Sequence, residues 1–197
     1  MSFYRKYEKE ILFAAIILFF FIVYPLINHL TIARDADAHV LNTYYDDIIP
    51  FIPLFIIPYA SGFVMPMLLY FFIKDLVFFR KAVLSYFIMM CIAYATFILY
   101  PVKVVLRPES IAGFFAPLFQ LYYPIDPPYN AFPSLHVAQP LFAALLVYHY
   151  DKKYWWMIPW AALIALSTLF VKQHYLLDVA SGLVLTAVAY FIFIKLQ

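Results

Sequence analysis

The chain has 197 residues, of which 67% are hydrophobic and only 12% are charged, and its formal net charge is +2. A soluble domain needs about a quarter of charged residues to cover its surface. This composition therefore excludes a soluble globular protein and indicates that lipid surrounds the chain. The small net charge gives no reason to expect a nucleic-acid partner, and the single cysteine, Cys91, excludes an internal disulfide and a thiolate metal cluster.

Charge-free apolar runs predict six membrane-spanning helices, because about 20 apolar residues cross the hydrocarbon core of a bilayer. The predicted spans are 11–30, 48–73, 82–102, 134–150, 154–171 and 175–194. Between the third and fourth spans, 110–125 is apolar but shorter and bracketed by prolines, which predicts a re-entrant or interfacial segment. The first run is about twice as long as the apolar core of a signal peptide, so we interpret it as a retained anchor. We expect an all-α integral membrane protein, a six-transmembrane-helix bundle in which residues 1–197 form a single domain.

The distribution of basic residues predicts which side of the membrane each end of the chain faces. With six spans, most lysines and arginines lie on the side of the two termini: Arg5, Lys6, Lys9, Lys74, Arg80, Lys81, Lys152, Lys153 and Lys195. The opposite side carries Arg34, Lys103, Arg107 and Lys172. Cytoplasmic loops are enriched in Lys and Arg, so we expect both termini to be cytoplasmic. The clustered polar residues then lie on the extracytoplasmic side: Arg107, Asp126, Asn130, Ser134, His136, Lys172, His174 and Asp178.

Two histidines and an aspartate in this cluster have the spacing and chemistry of a nucleophilic site. His174 and Asp178 are four residues apart, which on a helix would place their side chains on one face. A carboxylate beside one imidazole nitrogen fixes the tautomer and leaves the other nitrogen free to attack. His136, at the start of another predicted helix, can protonate a departing oxygen. These three residues predict general acid–base and nucleophilic chemistry.

Anion-binding groups accompany these residues in the sequence. Ser134 and the exposed amides of the helix that it begins form a natural cradle for an anion. Arg107 and Lys172 add positive charge, and an arginine can grip phosphate oxygens with two hydrogen bonds. Together with the histidines, these groups suit attack on phosphorus.

The residues around both histidines resemble the signatures of the type 2 phosphatidic acid phosphatase superfamily. "PSLHVA" (133–138) is similar to its second signature, P-S-x-H, and "STLFVKQHYLLD" (167–178) to its third, S-R-x5-H-x3-D. The first signature, K-x6-R-P, is half kept: Arg107 and Pro108 match, Tyr100 stands at the lysine position, and Lys103 is nearby. Thr168 replaces the arginine of the third signature. The resemblance covers residues 100–182.

The resemblance implies a role for each matching residue. His174 would be the nucleophile that forms a phosphohistidine, Asp178 its partner and His136 the general acid, while Arg107 and Ser134 would bind phosphate. Lys172 or Lys103 would supply the charge of the missing motif cations. Six spans with the motifs on one face also agree with the family's architecture.

The implied function is that of a membrane-embedded lipid phosphatase, without metal or other cofactor, that acts on a phospholipid or isoprenoid-lipid phosphate at the outer face of a cell membrane. The lost arginine and "PSLHVA" are also similar to the branch of inositolphosphoryl transferases and sphingomyelin synthases, so headgroup transfer to a lipid alcohol is the alternative. The lipid substrate and the oligomeric state stay open.

A zinc site is the alternative to a metal-free reaction, and a transporter is the alternative to an enzyme. His136, His174 and Asp178 could bind zinc, but the ion would share its pocket with the cations of Arg107 and Lys172. A transporter usually carries ionisable groups near the bilayer midplane, whereas here they gather at one end of the spans.

Four further residues are given roles outside the reaction itself. Asp126, Asn130 and Tyr100 are candidates for the lining of a substrate entrance, and the first two could instead shape a proline-rich turn. Gly182 is interpreted as a residue that allows close packing of two helices.

Overall fold

A computed structural model describes residues 6–197, so Arg5, one of the basic residues used for orientation, lies outside the described residues. All regular elements within this range are helical, and no strand occurs in it. The α-helices are α1 (Glu8–Ile32), α2 (Tyr44–Ile48), α3 (Ile56–Ser61), α4 (Leu68–Phe72), α5 (Leu76–Leu99), α6 (Ala116–Ile125), α7 (Leu135–Tyr150), α8 (Met157–Phe170) and α9 (Leu176–Leu196). The prediction of an all-α protein is therefore confirmed for the described residues.

Within residues 6–197, four helical segments are long and apolar enough to cross a membrane: Glu8–Ile32, Pro53–Phe72, Leu76–Leu99 and Leu176–Leu196. They correspond to the first, second, third and sixth predicted spans. The fourth and fifth predicted spans correspond to α7 and α8, which have 16 and 14 residues. A helix of this length rises by only about 20–25 Å, less than the roughly 30 Å of a hydrocarbon core.

The second predicted span is a series of short helices rather than one continuous helix. The 3₁₀ turn Pro53–Phe55 leads into α3, and a second 3₁₀ turn, Met65–Met67, leads into α4. Prolines lie in both turns, and because proline has no backbone N–H it interrupts the hydrogen-bond ladder of an α-helix. The break places Tyr59, at the middle of α3, against the start of α7.

The predicted re-entrant or interfacial segment contains a single short helix. α6 has ten residues, Ala116–Ile125, with Pro117 in its first turn and Pro124 near its end. Its length corresponds to about 15 Å, which is too short to cross a bilayer. Phe119 is its buried anchor, packed in a small cluster with Ile56, Tyr59 and Val171.

α7 forms the centre of the molecule and packs against both α8 and α9. α9 approaches α7 closely at Gly182, where a Cβ would lie 2.7 Å from the carbonyl oxygen of Ser134 and 2.9 Å from Cβ of Val137. The interpretation of Gly182 as a close-packing residue is confirmed. This contact brings the second turn of α9 against the first turn of α7.

Gly182→Ala is expected to force these two helix starts apart and to lower both the melting temperature and the activity. Overpacking of this kind costs about 1–3 kcal/mol, and here one of the obstructing atoms is backbone. Thermal unfolding of the purified protein in detergent measures the effect. Ala187→Leu, on the exposed side of the same helix, is the control and should unfold near the wild-type temperature. A Gly182→Ala protein as stable and active as wild type would contradict this account of the contact.

Candidate active site

The two motif histidines lie side by side at one end of the bundle. His136 is the second residue of α7, and His174 lies in the loop between α8 and α9. Their ring centroids are 5.8 Å apart with an angle of 56° between the planes. Both rings line a small cavity, the polar cavity, whose other residues are Tyr24, Arg107, Asp126, Pro127, Tyr129, Asn130, Leu135 and Gln173. The sequence regions of the second and third signatures thus meet in one place.

His174 is paired with the carboxylate of Asp178, which is fully buried. The distance from Nδ1 of His174 to Oδ2 of Asp178 is 3.4 Å, longer than a good hydrogen bond. Contacts between catalytic groups are often long when no substrate is present. His174 itself precedes α9, which begins at Leu176, so the two side chains meet at the start of that helix and do not share a face of it.

The start of α9 holds the carboxylate of Asp178 in place. Its Oδ2 accepts a hydrogen bond of 2.8 Å from the backbone N–H of Tyr175, just before the helix. The positive end of the helix dipole also favours a negative charge in the first turn. The carboxylate is therefore fixed by its own helix, and His174 is oriented against it.

Ser134 connects the two helix starts. Its Oγ accepts a hydrogen bond from the N–H of Val137 at 3.3 Å, which caps α7. Its own N–H donates to the carbonyl oxygen of Asp178 at 3.2 Å. Ser134 is fully buried and is not part of the lining of the polar cavity. The structure thus places this side chain as a helix cap beside the candidate site.

Arg107 is the one lysine or arginine within residues 6–197 that lines the polar cavity. Its guanidinium lies 4.6 Å from the ring centroid of Tyr123. Nη2 donates to the carbonyl oxygen of Asp126 at 2.7 Å and also to the side-chain oxygen of Gln173. The Nε–H is buried without a hydrogen-bond partner among the described residues. A cation with an unused donor is therefore held at the wall of the cavity.

The structure does not bring Lys172 or Lys103 into the lining of the polar cavity. Lys172 has a positive φ of 57°, and its ammonium donates to the backbone oxygen of Asp46 at 2.6 Å. Burial lowers the pKa of Lys172, and the carboxylates of Asp46 and Asp47 oppose that shift. Lys103 pairs with Asp35 at 2.7 Å. Both ammonium groups therefore contact acidic residues outside the lining of the polar cavity.

Of the predicted entrance residues, Asp126 and Asn130 line the polar cavity, whereas Tyr100 stacks on His39 at 4.1 Å. The carboxylate of Asp126 accepts hydrogen bonds from the hydroxyls of Tyr24, at 3.0 Å, and Tyr59. Asn130 has a φ of 57° and its amide donates to Asn28.

The charge state of the buried Asp126 carboxyl is set by its neighbours. Burial alone would raise the pKa of Asp126, but the positive charges of His136 and Arg107 and the hydrogen bond from Tyr59 bring that pKa below its ordinary value. The carboxyl group is therefore ionised at neutral pH, and it places a negative charge beside both histidines.

The family of the chain follows from its match to a protein-family model. Residues 17–192 match a family model described as the PAP2 superfamily. The chain belongs to the PAP2 superfamily. The resemblance to the type 2 phosphatidic acid phosphatases is confirmed. No curated protein and no solved structure matches the chain.

Membership of the PAP2 superfamily indicates a membrane-embedded enzyme of the phosphatase type that acts on lipid phosphates. Hydrolysis and transfer are both compatible with this membership. Within residues 6–197, no group of three or more His, Cys, Asp or Glu side chains is arranged to hold a metal ion.

Sequence reasoning missed Gln173, which the structure places in the polar cavity of this PAP2 protein. Its side chain is 3% exposed, its oxygen accepts from Arg107, and its Nε2 has no hydrogen-bond partner among the described residues. Thr168, at the position of the lost motif arginine, uses its carbonyl oxygen to accept from the N–H groups of Gln173 and His174 at 2.9 and 3.3 Å. Adjacency to the motif histidine was the only signal for Gln173 in the sequence.

An apolar cleft adjoins the polar cavity on the side of α1. It is lined by Phe20, Phe21, Tyr24, Pro25, Gly62, Phe63, Ile125, Asp126, Leu135, His136, Gln139 and Pro140. Tyr24, Asp126, Leu135 and His136 line both spaces. His136 therefore lies at the junction between a polar space that suits a phosphate and an apolar space that suits a hydrocarbon chain.

Proposed function

We propose that the protein is a lipid-phosphate phosphatase that cleaves a phosphate ester of a membrane lipid through a phosphohistidine intermediate. The observation that carries this proposal is the pair of imidazoles with centroids 5.8 Å apart, only one of which has a buried carboxylate at its Nδ1. That asymmetry suits a nucleophile and a general acid. Residues 1–197 would then form one membrane-embedded catalytic domain, with the reaction at residues 100–182.

In the first step, Nε2 of His174 attacks phosphorus while the bond from phosphorus to the lipid oxygen breaks. His136 gives its proton to that oxygen, and the lipid leaves as an alcohol. Asp178 stabilises the positive charge that develops on the His174 ring. In the second step, His136 takes a proton from water, the water oxygen attacks phosphorus, and the phosphorus–nitrogen bond breaks to release phosphate.

Arg107 and Gln173 are suited to bind the phosphoryl oxygens during both steps. The guanidinium Nε–H and the amide Nε2 are buried donors without partners among the described residues. Donors aimed at oxygens that carry the charge of a transition state contribute much of the rate of such reactions. We therefore assign the role of the missing motif cations to Arg107 assisted by the neutral amide of Gln173.

Six spans, cytoplasmic termini and an extracytoplasmic site in a cell membrane complete the proposal. The histidines lie at the end of the bundle where α7 and α9 begin, whereas Lys152 and Lys153 follow α7 and Lys195 lies near the end of α9. Trp155, Trp156 and Trp160 are exposed beside those lysines, as expected for residues at a membrane–water boundary. The positive-inside rule therefore supports a cytoplasmic location for the end opposite the site.

Transfer of the phosphorylated headgroup to a lipid alcohol is the second candidate function. The apolar cleft favours it, because this cleft meets the polar cavity at His136 and could hold the chain of a second lipid. The chemistry is the same up to the phosphohistidine, and a lipid hydroxyl then replaces water.

The test is a panel of lipid phosphates given to the purified protein in detergent, in parallel reactions with EDTA and with an added divalent metal. Phosphatidate, phosphatidylglycerophosphate, polyprenyl pyrophosphate and lipid A phosphates are each assayed for free phosphate and, with ceramide or diacylglycerol added, for new phospholipid. Release of phosphate supports hydrolysis, and new phospholipid supports transfer. Neither product from any lipid would contradict the proposal, and activity that requires a divalent metal would contradict the metal-free mechanism.

Arg107→Met is expected to lower kcat/KM by about 10²–10³-fold, the usual effect of removing a donor to a charged transition state. Lys103→Met is the matched control, because Lys103 pairs with Asp35 in an exposed loop and a surface pair contributes little. It should stay within a few-fold of wild type. Steady-state rates on the best lipid of the panel measure both. A larger loss for Lys103→Met than for Arg107→Met would refute the assignment of the phosphate cation.

A further inference from the structure

We infer that Asp126 and Tyr59 are positioning residues that favour the charged form of the His136 imidazole and orient it for proton transfer. This inference rests on the proposed function, in which His136 is the general acid. The Tyr59 hydroxyl donates to Oδ2 of Asp126 and lies 3.5 Å from Nδ1 of His136. A single hydroxyl thus bridges the carboxylate and the ring.

The surroundings of His136 make a positive charge costly unless a carboxylate offsets it. The ring of Tyr59 stacks on the imidazole with centroids 4.4 Å apart, and the ring of Phe63 meets it edge-on at 5.2 Å. Burial among apolar rings disfavours the charged form of a histidine. A general acid must nevertheless carry its proton before the reaction begins, so His136 needs a nearby negative charge.

Asp126 supplies that charge. The titratable or charged groups that face His136 from the surrounding elements are Tyr24, Tyr59, Arg107, Asp126, Tyr129 and His174. Arg107 and a protonated His174 would oppose a charge on His136, and Asp178 is engaged by His174 and by Tyr175. Loss of the Asp126 carboxylate would therefore leave His136 with cationic or neutral neighbours within the described part of the chain.

The hydrogen bonds also define which nitrogen transfers the proton. Because the Tyr59 hydroxyl donates to Asp126, its oxygen is free to accept from Nδ1–H of His136. The Nε2 nitrogen then carries the mobile proton, and it is buried without a hydrogen-bond partner among the described residues. A departing lipid oxygen in the polar cavity would supply that partner. The arrangement parallels the pairing of His174 with Asp178, with a tyrosine inserted between carboxylate and ring.

Asp126 is held in place from three directions, which is more than a turn residue needs. Tyr24 of α1 donates to Oδ1 at 3.0 Å, Tyr59 of α3 donates to Oδ2, and Arg107 donates to its backbone oxygen at 2.7 Å. Asp126 as a whole residue is 6% exposed. A fixed carboxylate can orient a neighbouring ring, whereas a mobile one cannot.

The experiment compares two leaving groups in the first turnover. Asp126→Asn and Tyr59→Phe, which keeps the stacked ring, are assayed for alcohol release from a lipid phosphate and from an aryl phosphate whose phenolate leaves without a proton. We expect Asp126→Asn to lose about 10²-fold or more on the lipid phosphate, in the range of general acid catalysis. The loss on the aryl ester should be at least tenfold smaller. The pH above which kcat/KM on the lipid falls should move to lower pH, because the imidazolium is harder to form.

The matched control is Tyr190→Phe. In the wild-type protein the hydroxyl of Tyr190 contacts Nδ1 of His149 at 2.8 Å. His149 lies on the same helix as His136, but 13 residues further along it, which is about 20 Å away. This variant should keep the wild-type rates on both substrates. Melting temperatures of all variants show whether each one folds.

Equal losses on the two substrates, or an unchanged pH profile, would overturn the inference and leave Asp126 and Tyr59 as structural residues. In that case a wild-type protein that turns over the lipid phosphate still supports the proposed function. A wild-type protein inactive on both substrates would instead remove the proposed function and the inference together.

Discussion

His174→Ala is expected to abolish turnover, with a loss of at least about 10⁴-fold in kcat, as found when the nucleophile of a catalytic group is removed. The substitution removes the nitrogen that attacks phosphorus. A water molecule in its place would not be held by Asp178 as a nucleophile in the way that the imidazole is. Residual hydrolysis would come from binding at Arg107 alone. Initial rates of phosphate release from the best lipid substrate measure this effect.

His29→Ala is the control for the loss of a histidine as such, because His29 is exposed near the end of α1. It should keep the wild-type rate. Activity of His174→Ala equal to that of His29→Ala would rule out a covalent step at His174. A loss in both would indicate damage to the fold, which the melting temperature detects.

Asp178→Asn is expected to lower kcat by about 10³–10⁴-fold while the protein stays folded, since an amide in place of an orienting carboxylate favours the wrong histidine tautomer. The side-chain oxygen of an asparagine can still accept the hydrogen bond from the N–H of Tyr175. The backbone contact with Ser134 does not involve the side chain. Stability should therefore change much less than rate.

Asp46→Asn is a closely matched control for this variant. The Oδ1 of Asp46 accepts from the N–H of Leu176 at 2.7 Å, so Asp46 also places a carboxylate at the start of α9. Within residues 6–197, no side-chain hydrogen bond or ion pair joins it to His174. We expect a change of a few-fold at most. Equal losses from Asp178→Asn and Asp46→Asn would show that charge at the helix start matters and that orientation of His174 does not.

Much of the helical architecture could be predicted from the sequence because long apolar runs have few alternatives in lipid. α1, α5 and α9 follow the predicted spans closely. The broken second span could not be predicted from hydropathy, because Pro53, Pro58 and Pro66 alter the backbone without altering the apolar composition. α7 and α8 also follow their predicted spans, to within three residues at either end.

The candidate site was predictable where a residue is recognised by its own type and spacing, as for His136, His174 and Asp178. The direction of a long side chain is not encoded in that way. Lys172 lies two residues before His174, yet its ammonium reaches the backbone oxygen of Asp46 in α2, 126 residues earlier. Tyr59 and Gln173 escaped prediction because neither is charged at neutral pH and because Tyr59 meets His136 only through the fold.

The most direct measurement of the central claim is to trap the covalent intermediate. The protein is mixed with a lipid labelled in its phosphate and quenched within milliseconds in alkaline denaturant, which preserves a phosphorus–nitrogen bond, and the labelled peptide is sequenced. The account predicts label on His174, more of it in a variant that slows the second step, and none in His174→Ala. Label on a different residue, or steady turnover with no labelled protein at any quench time, would contradict it.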